Sequence, residues 1–480
     1  MKKTIIPLFC WLAMVLFSCS SSKPDPRPNI LFIIADDQSY QTIHALGGEE
    51  LITPSLDKLA GEGVAFTHAY NMGGWHGAVC VASRTMLNTG LSVWRANRAE
   101  SSLDQWEKQG KLWSHLMEKA GYRTFMAGKW HVKVAPDSIF QHTGHVRGGM
   151  PKQSPEGYNR PKSPEDKEWT PWDTRFGGFW EGGKHWSEVL ADEAVSFLKG
   201  SNETNDPFFM YVAFNAPHDP RQSPREFVDM YPLENISVPA SYQPLYPNKE
   251  LIGCGEGLRD ERLAPFPRTE YAVQVNRQEY YAIISHMDSQ LERILEALEA
   301  SGKKENTYVV FTADHGLSCG NHGLLGKQNM YDHSMRVPLF VAGPDIPPGK
   351  QIEADVYLQD VMPTILEMAG AGVPDHIEYH SLLPFTDGSR SKSFYDAIYG
   401  CYMDRQRMVR QEGFKLIMYP YASEMLLFDL ENDPEETVNL AGEEVYEDRM
   451  SKLFDKFLEL QAEMEDTLDM QDYFPEMFIQ

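Results

Sequence analysis

At 480 residues the chain is too long for one ordinary core, so a large domain with a smaller companion is expected. Its formal charge of -25, from 44 basic and 69 acidic side chains, excludes general nucleic-acid binding, which needs a basic surface. An ordinary apolar content of 42 % excludes a disordered chain, and an anionic substrate would need positive charge gathered locally.

Residues 1–18 read as an export signal. Lys2 and Lys3 precede an apolar run, Ile5 to Phe17, that is short for a membrane span. The stretch "LFSCSSS" resembles a bacterial lipoprotein signal cleaved before a lipidated Cys19, although Phe17 is bulkier than usual at its position. That implies the periplasm or the outer-membrane surface, with membrane contact through the lipid alone; plain secretion is the alternative. Residues 19–27 are a polar linker, and no later segment is apolar enough to span a bilayer. Of the remaining cysteines, Cys80, Cys254, Cys319 and Cys401 are scattered, without metal spacing or a disulfide framework.

The run Ile30 to Ala35 predicts a fully buried parallel strand ending in Asp36 and Asp37. "TPSLDKLAGEG" predicts a helix with Thr53 as N-cap and Pro54 in its first turn. The pattern then repeats. "YRTFMAGKWH" is a short strand followed by Lys129 and His131; Phe208 to Phe214 leads to His218; Tyr308 to Thr312 leads to Asp314 and His315. Helical patterns lie between, the longest in "RQEYYAIISHMDSQLERILEALEASG". Alternating strands and helices define an α/β fold with a mainly parallel sheet, whose site lies beyond the carboxyl ends of the strands.

Two stretches, about 135–183 and 238–269, lack periodicity. Loops this long in a compact domain are usually binding loops, and Trp169, Trp172, Trp180 and Trp186 in or beside the first suggest substrate walls. The catalytic domain is expected over 28–390. Residues 391–480 read as a small α+β subdomain of short antiparallel strands and a closing helix from about Glu444 to Glu465.

Asp36, Asp37 and Asp314 at one sheet edge repel unless a cation sits among them. All-oxygen ligands suit calcium or magnesium, and His315 could add a ligand; zinc is less natural. Lys129, His131, His218 and Lys327 make a positive, hydrogen-bonding pocket suited to an anionic transferable group.

The stretch Cys80, Val81, Ala82, Ser83, Arg84, with "ADD", "GKWH", "APH", "ADHG", "GK" before "RVP", and "LFDLENDPEETVNLA", resembles the type I sulfatases of the alkaline-phosphatase-like superfamily. The resemblance covers nearly the whole mature chain. Ala82 stands where proline is commoner, and His315 where many members have asparagine. The resemblance implies that a sulfatase-maturing enzyme oxidises Cys80 to formylglycine. The hydrated aldehyde attacks sulfur with one hydroxyl, and the other then expels sulfate and restores the aldehyde. It also implies calcium on Asp36, Asp37, Asp314, His315 and formylglycine 80, sulfate held by Lys129, His131 and Lys327, and Arg84 supporting the diol. His218 would protonate the leaving alcohol, with His131 able to trade that part.

The implied activity is hydrolysis of sulfate esters of a sulfated glycan. A formylglycine-dependent phosphodiesterase or phosphonate monoester hydrolase is the runner-up, and an inactive lipid-anchored glycan-binding protein the reading from another class. Trp75, His76, Asp332 and His333 flank the motifs and are candidates for the sugar pocket.

Overall fold

The computed structural model describes residues 27–478, apart from 153, 202, 203 and 205; the signal segment and Cys19 lie outside them. An eight-stranded sheet runs in the order Lys350–Ile352, Val64–Phe66, Leu339–Ala342, Thr307–Ala313, Asn29–Ala35, Phe208–Ala213, Arg123–Lys129, His142–Arg147. Only Leu339–Ala342 runs antiparallel to its neighbours. The central strand Asn29–Ala35 is buried throughout, as its unbroken apolar run requires of a strand covered on both faces. Among the described residues no helix is long and apolar enough to cross a membrane.

The four adjacent strands Thr307–Ala313, Asn29–Ala35, Phe208–Ala213 and Arg123–Lys129 point the same way. Their carboxyl ends therefore deliver Asp314, Asp36, His218 and Lys129 to one edge. Close strand contact there depends on Gly128, whose φ is 93° and whose added Cβ would stand 1.8 Å from Ala213 O.

Helices cover the sheet. The longest, Glu270–Ala300, buttresses the site: Tyr280 Oη donates to Asp37 O at 2.7 Å and accepts from Ser39 N at 3.1 Å. The helix Pro54–Glu62 starts where expected, but Thr53 does not cap it. Asp288, from the long helix, accepts from Ser55 N at 3.0 Å and Leu56 N at 2.8 Å, while Thr53 Oγ1 turns to Asp57 at 3.2 Å.

A second, five-stranded sheet orders Glu424–Asp429, Phe414–Tyr419, Gln406–Gln411, Ile398–Tyr402 and Gly73–Gly74, all antiparallel but for the last pair. Gly73 can pair so closely only as glycine: its φ is 77° and an added Cβ would lie 1.9 Å from Cys401 O. The closing helix is Glu447–Glu463. The apolar core under this sheet also takes Tyr70, Met72, Val79 and Met86, so it supports the segment that carries Cys80.

Candidate active site

Cys80 is the second residue of the helix Val79–Thr89, every residue of which is buried and which ends at Gly90 in a left-handed C-cap. Its sulfur lies 3.3 Å from Asp36 Oδ1, 3.3 Å from Asp37 Oδ1 and 3.0 Å from Lys327 Nζ. Burial, then Asp314, Asp36 and Asp37, hold the thiol well above its ordinary pKa. One turn on, Arg84 Nε donates to Asp314 Oδ2 at 2.7 Å and Nη1 to Lys129 O at 2.6 Å. The i, i+4 spacing thus puts Arg84 on the face of the helix that carries Cys80.

The carboxylates are not left to repel one another. Lys129 Nζ bonds Asp36 Oδ2 at 2.5 Å, Lys327 Nζ bonds Asp37 Oδ1 at 2.8 Å, and Arg84 takes Asp314. Burial opposes the charge on both lysines, but Asp36 raises the pKa of Lys129 and Asp37 lifts that of Lys327 well above the usual range. Asp314, despite its burial, is held below the usual carboxylate range by Arg84, Lys129 and Lys327. Asp37 adopts φ 66°, a conformation aspartate tolerates, and its N–H donates to Asp314 Oδ1 at 3.1 Å.

Donor atoms of Asp36, Asp37, Cys80 and His218 all lie within 4.8 Å of one another. Asp314 and His315 lie outside this set of four, and Asp314 is tied to it through the Asp37 N–H. His315 bonds Gly316 O through Nδ1 at 2.8 Å, leaving a buried Nε2 without a partner. An orphaned imidazole nitrogen beside Asp37 and Asp314 fits a hard divalent cation with mostly oxygen ligands.

The two histidines differ. His218 Nδ1 is committed to Asp219, 2.8 Å from its backbone O and 3.0 Å from Oδ1, and Nε2 lies 3.4 Å from Asp37 Oδ2. Burial and Lys327 work against its charge, yet Asp219, Asp37 and Asp36 raise its pKa. His131 sits at φ 61° with Nδ1 unpartnered, and burial, with Lys129, Arg84 and Lys327, lowers its pKa to about 2. Sequence reading missed Asp219, although it is the neighbour of His218 in "APHDP". It also missed Arg259, whose Nη2 stands 3.4 Å from His218 Nε2 and for which no pattern in its loop gave a signal.

The sugar-pocket candidates divide. His76 is half-buried, 3.8 Å from Glu100 Oε1, a carboxylate that also takes Lys133 at 2.9 Å. Trp75 borders an open groove with Trp94, Arg98 and Met403. Asp332, by contrast, is buried and its carboxylate is occupied: it pairs with Lys415, lies 3.6 Å from Arg336 and accepts from Tyr70 Oη at 3.3 Å. Lys415 pairs also with Glu436 at 2.7 Å, so the cluster ties the second sheet to the first domain. His333 is buried against Ser318 and Ser334. Asp332→Asn is therefore expected to lower stability by roughly 1–3 kcal/mol in urea denaturation and to leave KM unchanged. A raised KM at unaltered stability would return Asp332 to the substrate pocket.

The tryptophans mainly pack the first long loop together. Trp169 lies 4.9 Å from Phe176 and under Arg160, Trp180 Nε1 donates to Pro171 O at 3.0 Å, and Trp186 stacks on Arg147. Among the described residues of this loop, Tyr158 bonds Asp219, Met150 contacts Arg259 and Gly149 lies against His131.

Residues 28–371 match the family model "Sulfatase", and residues 320–463 match "N-sulphoglucosamine sulphohydrolase, C-terminal". The chain belongs to the sulfatase family, of the alkaline-phosphatase-like superfamily, and is a sulfuric ester hydrolase. Among its relatives, an arylsulfatase of Clostridium perfringens is 29 % identical, over 89 % of this chain and 93 % of its own. An N-acetylglucosamine-6-O-sulfatase of Bacteroides thetaiotaomicron is 26 % identical, over 95 % and 90 %. A solved structure in complex with its substrate D-glucosamine-2-N,6-O-disulfate superposes with TM-score 0.71 at 24 % identity, covering 92 % of this chain and 99 % of that one. A phosphonate monoester hydrolase from Silicibacter pomeroyi superposes with TM-score 0.73 at 20 % identity, covering 92 % and 96 %.

Proposed function

We propose that this enzyme removes sulfate from a sulfated carbohydrate, with Cys80 matured to formylglycine and calcium (or magnesium) held by Asp36, Asp37, Asp314 and His315. The observation that carries the reading is the position of Cys80. Its sulfur stands among carboxylates that discourage a thiolate, so an unmodified cysteine is badly placed to act as nucleophile. A formylglycine hydrate in its place, beside a bound cation that lowers the pKa of a nearby hydroxyl, would supply the nucleophile the thiol cannot. The carbohydrate substrate rests on the N-acetylglucosamine-6-O-sulfatase relative, the periplasmic or outer-membrane location on the export signal alone.

The chain's own residues have distinct parts. Lys327, 3.0 Å from the residue 80 sulfur, and Lys129, paired with the neighbouring Asp36, offer ammonium groups to oxygens of the bound anion. Arg84 fixes Asp314 and keeps its buried Nη2 unpaired. His218, with Nδ1 tied to Asp219, has Nε2 left to give a proton to the departing oxygen. His131, kept neutral by burial and three cations, is the weaker candidate for that proton.

The experiment is sulfate release from a sulfated sugar by metal-free and metal-reloaded protein. Chelation is expected to abolish release and lower the thermal midpoint; calcium should restore both. The loss of stability should be modest, because Lys129, Lys327 and Arg84 already balance the three carboxylates. Restoration by zinc and not by calcium would overturn the metal assignment. The phosphonate monoester hydrolase fold neighbour gives the second reading its place. Comparable turnover of a phosphodiester and a sulfate ester with the same leaving group would favour it.

A further inference from the structure

The two long loops meet beside His218: Met150 of the first contacts Arg259 of the second, and Tyr158 of the first bonds Asp219. Arg259 Nη2 is 3.4 Å from His218 Nε2, 3.3 Å from Asp219 Oδ1 and 2.5 Å from Asp260 Oδ1. Its Nε adds a bond to Asp260 Oδ1 at 2.9 Å, and Gln328 Nε2 donates to the other Asp260 oxygen at 2.9 Å. Gln328 follows Lys327, so this cluster is tied to the lysine at residue 80. Asp37, Asp219, Arg221, Asp260 and Lys327 line one small cavity.

Exposure sorts the cluster. The side chains of Asp219 and His218 are 4 % exposed and that of Asp260 8 %, whereas that of Arg259 keeps 30 %. Arg259 is thus the cluster's opening to solvent, beside the one nitrogen of His218 not committed to Asp219. An alcohol leaving toward that nitrogen passes the guanidinium.

Charge then limits what the alcohol can carry. Arg259 bonds both Asp219 and Asp260, so its charge is already met by two carboxylates, while the buried Arg221 turns to Asn276 and Cys319. Hydroxyls are well served by such an array. A second sulfate gains no net attraction there and loses its water.

Resting on the sulfatase reading, we infer that Arg259 and Asp260 are the specificity-determining pair on the leaving-group side, selecting a hydroxyl rather than a second anion beside the scissile ester. The test needs no knowledge of the sugar. Catechol monosulfate and catechol disulfate differ only in whether a hydroxyl or a sulfate neighbours the ester. The protein, carrying the aldehyde at residue 80, should prefer the monosulfate in kcat/KM. Asp260→Asn should move the monosulfate-to-disulfate ratio toward the disulfate and Arg259→Ala away from it, each by roughly tenfold, as expected for one unit charge at close range. A structural role would not move one ratio in opposite directions. Unchanged ratios, shifts in the same direction, or rejection of both catechol esters while para-nitrophenyl sulfate is hydrolysed would overturn the inference alone. Failure on para-nitrophenyl sulfate as well would remove the sulfatase reading beneath it.

Discussion

Cys80→Ala is expected to lose turnover by on the order of 10⁴-fold or more while keeping the fold. The buried surroundings explain both halves. Alanine leaves only a small gap in the first turn of Val79–Thr89, and the ion pairs of Lys129, Lys327 and Arg84 with the three carboxylates persist without the sulfur. Among the described cysteines, Cys80 is the one whose sulfur bonds Asp36 and Asp37. Cys80→Ser should fail equally in a host whose maturing enzyme accepts only cysteine. The check is kcat/KM beside the thermal midpoint. Substantial turnover by a well-folded alanine variant would end the formylglycine mechanism.

The second large effect belongs to His218 and depends on the leaving group. A sugar alkoxide needs a proton in the transition state, whereas nitrophenolate needs little help. His218→Ala should therefore cost a sulfated sugar roughly 10²–10⁴-fold more than it costs an activated aryl sulfate. Lys327→Ala, which removes an ammonium 3.0 Å from the residue 80 sulfur, should harm both substrates more evenly. The ratio of kcat/KM for the two substrates in each variant decides. Equal losses in His218→Ala would make it a binding or structural group and move the search for the acid to His131.

The polar clusters were legible in sequence because each follows a buried apolar strand. A strand covered on both faces must end where polarity begins, and four such strands lie side by side in one direction. The spacing of Cys80 and Arg84 was equally readable, since helical geometry alone puts them on one face. Features set by tertiary contact were not. The strand His142–Arg147 is polar and largely exposed, so neither alternation nor an apolar run marks it. Asp288 caps a helix more than two hundred residues before it, and no local pattern could prefer it to Thr53. Asp332 and His333 sit just past Lys327 in sequence, but the chain turns there into the core and Lys415 takes the carboxylate. Arg259 lies in a loop without periodicity, and only the folded chain brings it to His218.

The most direct test of the central claim is mass spectrometry of the peptide bearing residue 80, taken from active protein made in the native host. The account predicts an aldehyde there, trapped by a hydrazine reagent, in proportion to sulfatase activity. An intact thiol at residue 80 in fully active protein would contradict it.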